Sequence, residues 1–286
     1  MACPSMRAGQ RTSPASLYSK KRYRAMITKT TKVKSQVWKE IFQKLLPVGI
    51  LAIIWQFAAS PLPDYILPSP LEILFALGRN IREGLIFKHL GVSLYRIFFG
   101  FGLSVILGVT LGFLMAFSKF IRIQLDYLIR AIQPIPGIAW LGVVLIWFGI
   151  GDISLIVTEI ITIAPIIVLN TYEGFRMVDP ELIKTAKALG AKRGIDIFRD
   201  VTLPAALPYV MNGLHMGLAF GWRILAAAEM IGATSGLGYW ININRVALNM
   251  DEVFVVLIFF SVIMIAFEEL VYKRIERKVL GGLFQG

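Results

Sequence analysis

The sequence contains a single cysteine, Cys3, which excludes any disulfide within the chain. Histidine is almost as scarce, at two residues, so a zinc-type set of Cys and His ligands has nothing to be built from. Acid is short relative to base: 18 Asp and Glu against 30 Lys and Arg leave a net charge of +12. No Gly-x-x-x-x-Gly-Lys-Ser/Thr phosphate loop occurs, so the usual cradle for nucleotide hydrolysis is missing. Apolar residues fill the space that polar ones leave. The hydrophobic fraction is 56% and the mean hydropathy +0.68, against an apolar share of ~45–50% in soluble domains. The excess lies in long runs with few charges, as membrane spans require.

The surplus of base is local. Residues 1–44 hold eleven Lys or Arg and one acid, Glu40, while the rest of the chain is close to balanced. A basic segment directly before a hydrophobic run is the positive-inside signature, and it suits contact with anionic membrane lipid. Nucleic acid is not expected as a partner. Residues 1–40 are expected to be a basic, disordered cytoplasmic tail ahead of a transmembrane domain at 41–286. An organelle transit peptide, or a start at Met26, are the alternatives for the acid-free stretch 1–35.

Six spans are expected, at about 42–60, 91–117, 124–148, 153–173, 206–231 and 253–272. The stretch from Pro61 to His89 is too polar to cross, and Leu71, Leu74, Phe75 and Leu77 predict a short amphipathic helix at the interface. Gly108 and Gly112 form a GxxxG pair that allows close helix approach. Pro134, Pro136 and Gly137 break or kink the third span. Basic residues at 118–123, 174–203 and 273–278 put those segments and both termini in the cytoplasm.

The segment from about 176 to 204 is unlike a solvated loop. Asp179 and Pro180 suit the cap and first position of a short helix, and Gly190 suits its end. A second short helix from Gly194 carries Phe198 as a bulky anchor, and Leu203-Pro204 starts the next span. Two short helices folded at a glycine predict a knob made to insert into another protein's groove.

This segment resembles the EAA loop of binding-protein-dependent ABC importers. The matching residues are Thr185, Ala186, Leu189, Gly190, Ala191, Phe198, Leu203 and Pro204. Lys184 stands where that loop has its naming acid, so no role for the acid is carried over. The chain after about residue 40 is similar to the nitrate/sulfonate/taurine/bicarbonate branch of these permeases. The likeness lies in Ile66-Leu67-Pro68-Ser69-Pro70, His89 to Phe99, Gln133-Pro134-Ile135-Pro136-Gly137-Ile138-Ala139-Trp140, Trp147-Phe148-Gly149-Ile150-Gly151 and Gly236-Leu237-Gly238-Tyr239. The segments around Trp140 and Trp147 look more like sulfonate or taurine members than nitrate ones.

The resemblance implies an all-α membrane protein with the type I ABC importer permease fold. It implies a homodimer of permeases in a bacterial inner membrane, docked through this loop on separate ABC ATPase subunits. An extracytoplasmic substrate-binding protein delivers a small anion. It implies no catalytic residue, metal or cofactor on this chain, with ATP and Mg handled by the ATPase. A stand-alone secondary transporter or channel is the alternative, and a membrane-bound enzyme lacks any clustered nucleophile, base or metal set.

Charges inside spans need a reason. Glu159, His215, Trp222, Arg223 and Glu229 are candidates for the translocation pathway. His215 and Arg223, eight residues apart, are expected on one face of the fifth span, where Arg223 attracts an anion. Structural pairing of Arg223 with Glu159 or Glu229 is the competing expectation, as is a salt bridge from Glu159 to a neighbouring helix. Arg96 and Arg130 sit near span ends, where long side chains snorkel to water.

Overall fold

The computed structural model describes residues 46–191 and 193–281, and no strand occurs among them. The expected tail at 1–40, residues 42–45 of the first expected span, and Lys192 lie outside the described residues. The chain divides into two compact units at Pro61–Leu62. The first carries α1, apolar over its described residues Leu46–Ala59, a length below the ~20 residues of a span.

In the second unit, α2 (Pro70–Glu83) starts on a capping box. The Ser69 N–H donates to Glu72 Oε2 at 2.7 Å, and the Glu72 N–H donates to Ser69 Oγ at 3.3 Å. Its buried face, with Ile73, Ala76 and Asn80, packs on α11 (Met250–Phe267). Leu71, Leu74 and Phe75 point outward, as an interfacial helix requires.

Three helices are each long and apolar enough to cross a membrane: α3 (Leu85–Phe117), α6 (Asp152–Arg176), and the run Met250–Val279. That run joins α11 through a wide turn at Glu268–Tyr272 to α12 (Lys273–Gly281). Two bent pairs raise the number to as many as five if each pair is one span. The expected third span falls on α4 (Lys119–Ile132) and α5 (Gly137–Phe148), bent by 97° across the Pro134–Pro136 break. Neither proline has an N–H to continue the helix ladder. The fifth span, α9 (Leu203–Gly232), turns by 49° into α10 (Leu237–Val246).

The centre of the bundle is α6, held between α3 and α9. Both neighbours present small residues at four-residue spacing, which share one helical face. On α3 these are Gly100, Ser104, Gly108 and Gly112, all buried. On α9 they are Gly213, Gly217 and Gly221. A Cβ added at Gly112 would lie 2.6 Å from the Val168 carbonyl oxygen, and one at Gly213 would lie 2.6 Å from Asn170 Cβ. The Gly108–Gly112 pair therefore packs on α6 as its spacing suggests. The matching stripe on α9 was just as readable and is not among the sequence expectations.

With lipid as the surrounding solvent, apolar burial does little to hold helices together, and close packing does most of the work. Gly112→Ala is expected to destabilise the bundle by about 1–3 kcal/mol. Gly102→Ala, where an added Cβ meets nothing within 4 Å, is expected to leave stability unchanged or slightly raised. Thermal unfolding of the detergent-solubilised variants separates the two.

Candidate functional site

The knob is built as its residue types dictate. The Asp179 carboxylate accepts the Glu181 N–H at 2.9 Å, and Pro180 opens α7 (Pro180–Ala188). Gly190, with φ of 101°, ends it, and the Ala191 N–H returns to the Ala186 carbonyl at 3.0 Å. The helix α8 (Gly194–Ile197) and a π-helical turn, Phe198–Thr202, lead into α9. No residue of α7 is buried. Leu189 is 83% exposed and Ile195 65%, on a segment otherwise rich in charge. Thr185 and Gly190 are exposed, while Ala186, Ala191, Phe198 and Pro204 are half-buried and Leu203 sits at the edge of exposure. The resemblance residues thus form one surface feature, with its apolar tips directed away from the rest of the chain.

At the other end of the bundle lies a buried polar cluster. Arg96 on α3 is 2% exposed, so it does not snorkel as expected. Its guanidinium donates to Glu229 of α9 at 2.7 Å, to Asp152 at the start of α6 at 2.8 Å, and to the Ser235 carbonyl at 2.6 Å. Ser93, one turn earlier on α3, donates to Glu229 at 2.8 Å. The carboxylate also accepts the Gly238 N–H at 2.9 Å, so the last turns of α9 cap the free N–H groups that open α10. Gly236 (φ 108°) donates to His89 Nδ1 at 3.1 Å, and a Cβ there would fall 2.3 Å from a Glu229 oxygen. The Gly236-Leu237-Gly238 motif is small because its backbone lies against a buried carboxylate.

The five pathway candidates are dispersed. Glu229 belongs to the cluster above, paired with Arg96 and not with Arg223. Glu159 is fully buried between Gly100 of α3 and Gly221 of α9. It makes no salt bridge among the described residues, and neither carboxyl oxygen has a hydrogen-bond partner. The expected salt bridge to a neighbouring helix is therefore absent. Trp222 is 5% exposed and stacks on Phe260 of α11, with ring centroids 4.6 Å apart, inside the apolar core.

His215 stacks on Tyr272 at 4.4 Å and approaches Glu268 at 3.7 Å. Arg223 is exposed, pairs with no carboxylate among the described residues, and lies 5.7 Å from the Phe220 ring. Eight residues, from His215 to Arg223, turn the helix by about 80° beyond two full turns, and the two side chains have different neighbours. Arg223 lies within about 20° of Met216 around the axis. Arg130, 74% exposed and paired with Asp126 at 2.8 Å, does reach the surface.

Met216 and Phe220 line a cavity of about 410 Å³ that follows the α4–α5 break and one face of α6. Gln133, Trp140, Thr162, Asn170 and Glu173 give it polar walls. A second cavity, of about 720 Å³, shares Gln133, Leu169 and Glu173 with the first and carries Arg122, Arg130 and Arg176. The two adjoin along α6, with a mixed polar and apolar lining, and together form a trough there. Among the described residues no group of three or more His, Cys, Asp or Glu is disposed to hold a metal.

Residues 104–281 match the family model of the binding-protein-dependent transport system inner membrane component. The chain belongs to this family. It is 34% identical over 215 residues to the taurine transport system permease protein TauC of Escherichia coli, covering 72% of this chain and 78% of that one. It is 28% identical over 233 residues to the nitrate import permease protein NrtB of Synechocystis, covering 78% and 84%. An amino acid ABC transporter shares the fold, with a TM-score of 0.60 at 20% identity over 71% of this chain and 97% of that one. The architecture is that of a type I ABC importer permease, a multi-pass membrane protein.

Within this permease, sequence reasoning missed Arg96 and Ser93 as partners of Glu229, and Asp152 as the second partner of Arg96. Only the two intramembrane charges of opposite sign hinted at them. Arg96→Ala leaves Glu229 buried without its cation, which is expected to cost about 3–5 kcal/mol. Arg130→Ala, at an exposed i, i+4 pair, is expected to cost about 0.5 kcal/mol or less. Chemical denaturation in detergent compares the two.

Proposed function

We propose that this permease is one of two identical membrane subunits of an ATP-driven importer, coupled to separate ATPase subunits through the knob at 176–204. The single observation that supports docking is the exposure of Leu189 and Ile195 on a short charged hairpin of helices. Apolar tips held out by a capped helix and a left-handed glycine are stable in water only at a cost that a partner's groove removes. ATP and Mg bind in the partner, and this chain performs no chemistry of its own. On this reading the knob and both termini face the bacterial cytoplasm, and an extracytoplasmic binding protein delivers substrate to the opposite side. Closure of the ATPase pair moves the docked knobs and switches the pathway between outward and inward access.

The cargo on this reading is a small anion: an aliphatic sulfonate or taurine, with nitrate or bicarbonate as the next class. The relatives' names support it, as does the excess of base in the wider cavity, where Arg122, Arg130 and Arg176 stand against Asp126 and Glu173. Arg223, unpaired and aligned with the cavity residue Met216, is the cation best disposed to draw an anion along the trough.

Purification through a tag on the permease, co-expressed with its ATPase, tests docking. Wild type is expected to retain the ATPase, and Leu189→Asp and Gly190→Arg are expected to lose it at least about tenfold while staying folded. Retention by both variants, or none by wild type, would return the chain to a stand-alone transporter. In cells carrying the complete system, Arg223→Ala is expected to cut uptake of radiolabelled taurine about tenfold with the complex still assembled. Unchanged uptake would remove Arg223 from the path.

A further inference from the structure

Phe198 marks the point where the knob becomes α9, and its ring is enclosed by three others. Phe175, near the end of α6, stacks on it at 6.1 Å with the planes 10° apart. Phe113 and Phe117, in the last two turns of α3, meet it edge-on at 5.9 and 6.2 Å. The three also touch one another: Phe113 with Phe117 at 4.7 Å, Phe113 with Phe175 at 5.4 Å, and Phe117 with Phe175 at 5.8 Å. These edge-to-face and stacked geometries are the preferred ones for aromatic pairs.

The cluster changes which helices the knob is attached to. By chain, the knob is joined only to α6 and α9. The aromatic cluster adds α3, which is remote from it in sequence. The π-helical turn serves the same contact. The Leu203 N–H donates to the Phe198 carbonyl five residues back, and Pro204 has no N–H to offer the usual carbonyl four residues back. The extra residue in this turn frees the direction of Phe198 from the register of α9, whose own next residues face other neighbours. Phe198 is the one aromatic residue between 176 and 204, so no other part of the knob can make a ring cluster of this kind.

We propose that Phe198 is a positioning residue for transport, clamping the knob to the ends of α3 and α6 so that displacement of a docked ATPase reaches those two helices as well as α9. This rests on the docking reading given above. A ring that merely filled space would be replaced by leucine without consequence, whereas a clamp made of ring geometry would not.

The test is the distance between nitroxide labels at exposed positions Lys187, on α7, and Lys119, just beyond α3. The labels are carried in a Cys3→Ser background, and the whole permease–ATPase complex is measured in lipid nanodiscs by pulsed electron resonance. In the otherwise wild-type complex the distribution is expected to be narrow and unmoved between nucleotide-free and Mg-ATP–vanadate-trapped states. Phe198→Ala and Phe198→Leu are expected to retain the ATPase but broaden the distribution about two-fold and make it shift with nucleotide. Phe198→Tyr is expected to restore it.

A narrow, unmoved distribution in Phe198→Leu overturns the clamp. So does loss of the ATPase with the distribution unchanged, which would make Phe198 a docking contact only. Should Phe198→Ala fail to fold, Phe113→Leu asks the same question from the α3 side. If the wild-type permease retains no ATPase, the docking reading fails separately. The label distance in the permease alone, wild type against Phe198→Leu, still decides whether the clamp exists.

Discussion

The close approach of α6 to its two neighbours is the constraint on which the other features depend. Lipid supplies no driving force for burying leucine against leucine, so helices in a membrane associate through packing and polar contacts. Here α3 and α9 each offer a smooth glycine face, and α6 supplies the bulk: Ile163, Ile167 and Thr171 fill the stripes. This arrangement fixes where everything else can be. It sets Phe175 beside Phe113 and Phe117 at one end, and Asp152 beside Arg96 at the other. It also leaves Thr162 and Glu173 of α6, with the edge of Asn170 beside Gly213, to form one wall of the trough.

Much of this was legible in the sequence, because hydropathy and helix punctuation are properties of single segments. Pro134 and Pro136 declare their break without reference to any other residue. Asp179, Pro180 and Gly190 declare the ends of α7 in the same way. Helices lie where the apolar runs are, though α3 starts at Leu85 rather than 91, with Lys88 and His89 accommodated within it, and the last run continues to Val279. The interfacial helix at 70 was equally plain from its alternation of faces.

What could not be read was partnership. Arg96 and Glu229 are 133 residues apart, and no local pattern says that they meet. The neighbours of His215 and Arg223 were equally out of reach: His215 meets Tyr272 of the last span while Arg223 lies by Phe220. Trp222, about 100° round the helix from Arg223, packs against Phe260 in the core. Glu159 was singled out correctly as unusual, yet its position between two glycines depends on two other helices.

The Arg96–Glu229 pair also bears on how the chain is made. Synthesis delivers α3 to the membrane long before α9 exists, so Arg96 must enter the bilayer without the carboxylate that neutralises it. Asp152 arrives next, on α6, and offers a first, half-exposed counter-charge. Only when α9 is threaded do the guanidinium, both carboxylates and the free N–H groups of α10 come together. The cluster is therefore complete only once α9 is in place, and until then Asp152 is the one carboxylate of the cluster within reach of Arg96. The finished chain carries that charge sealed 2% exposed within the bundle.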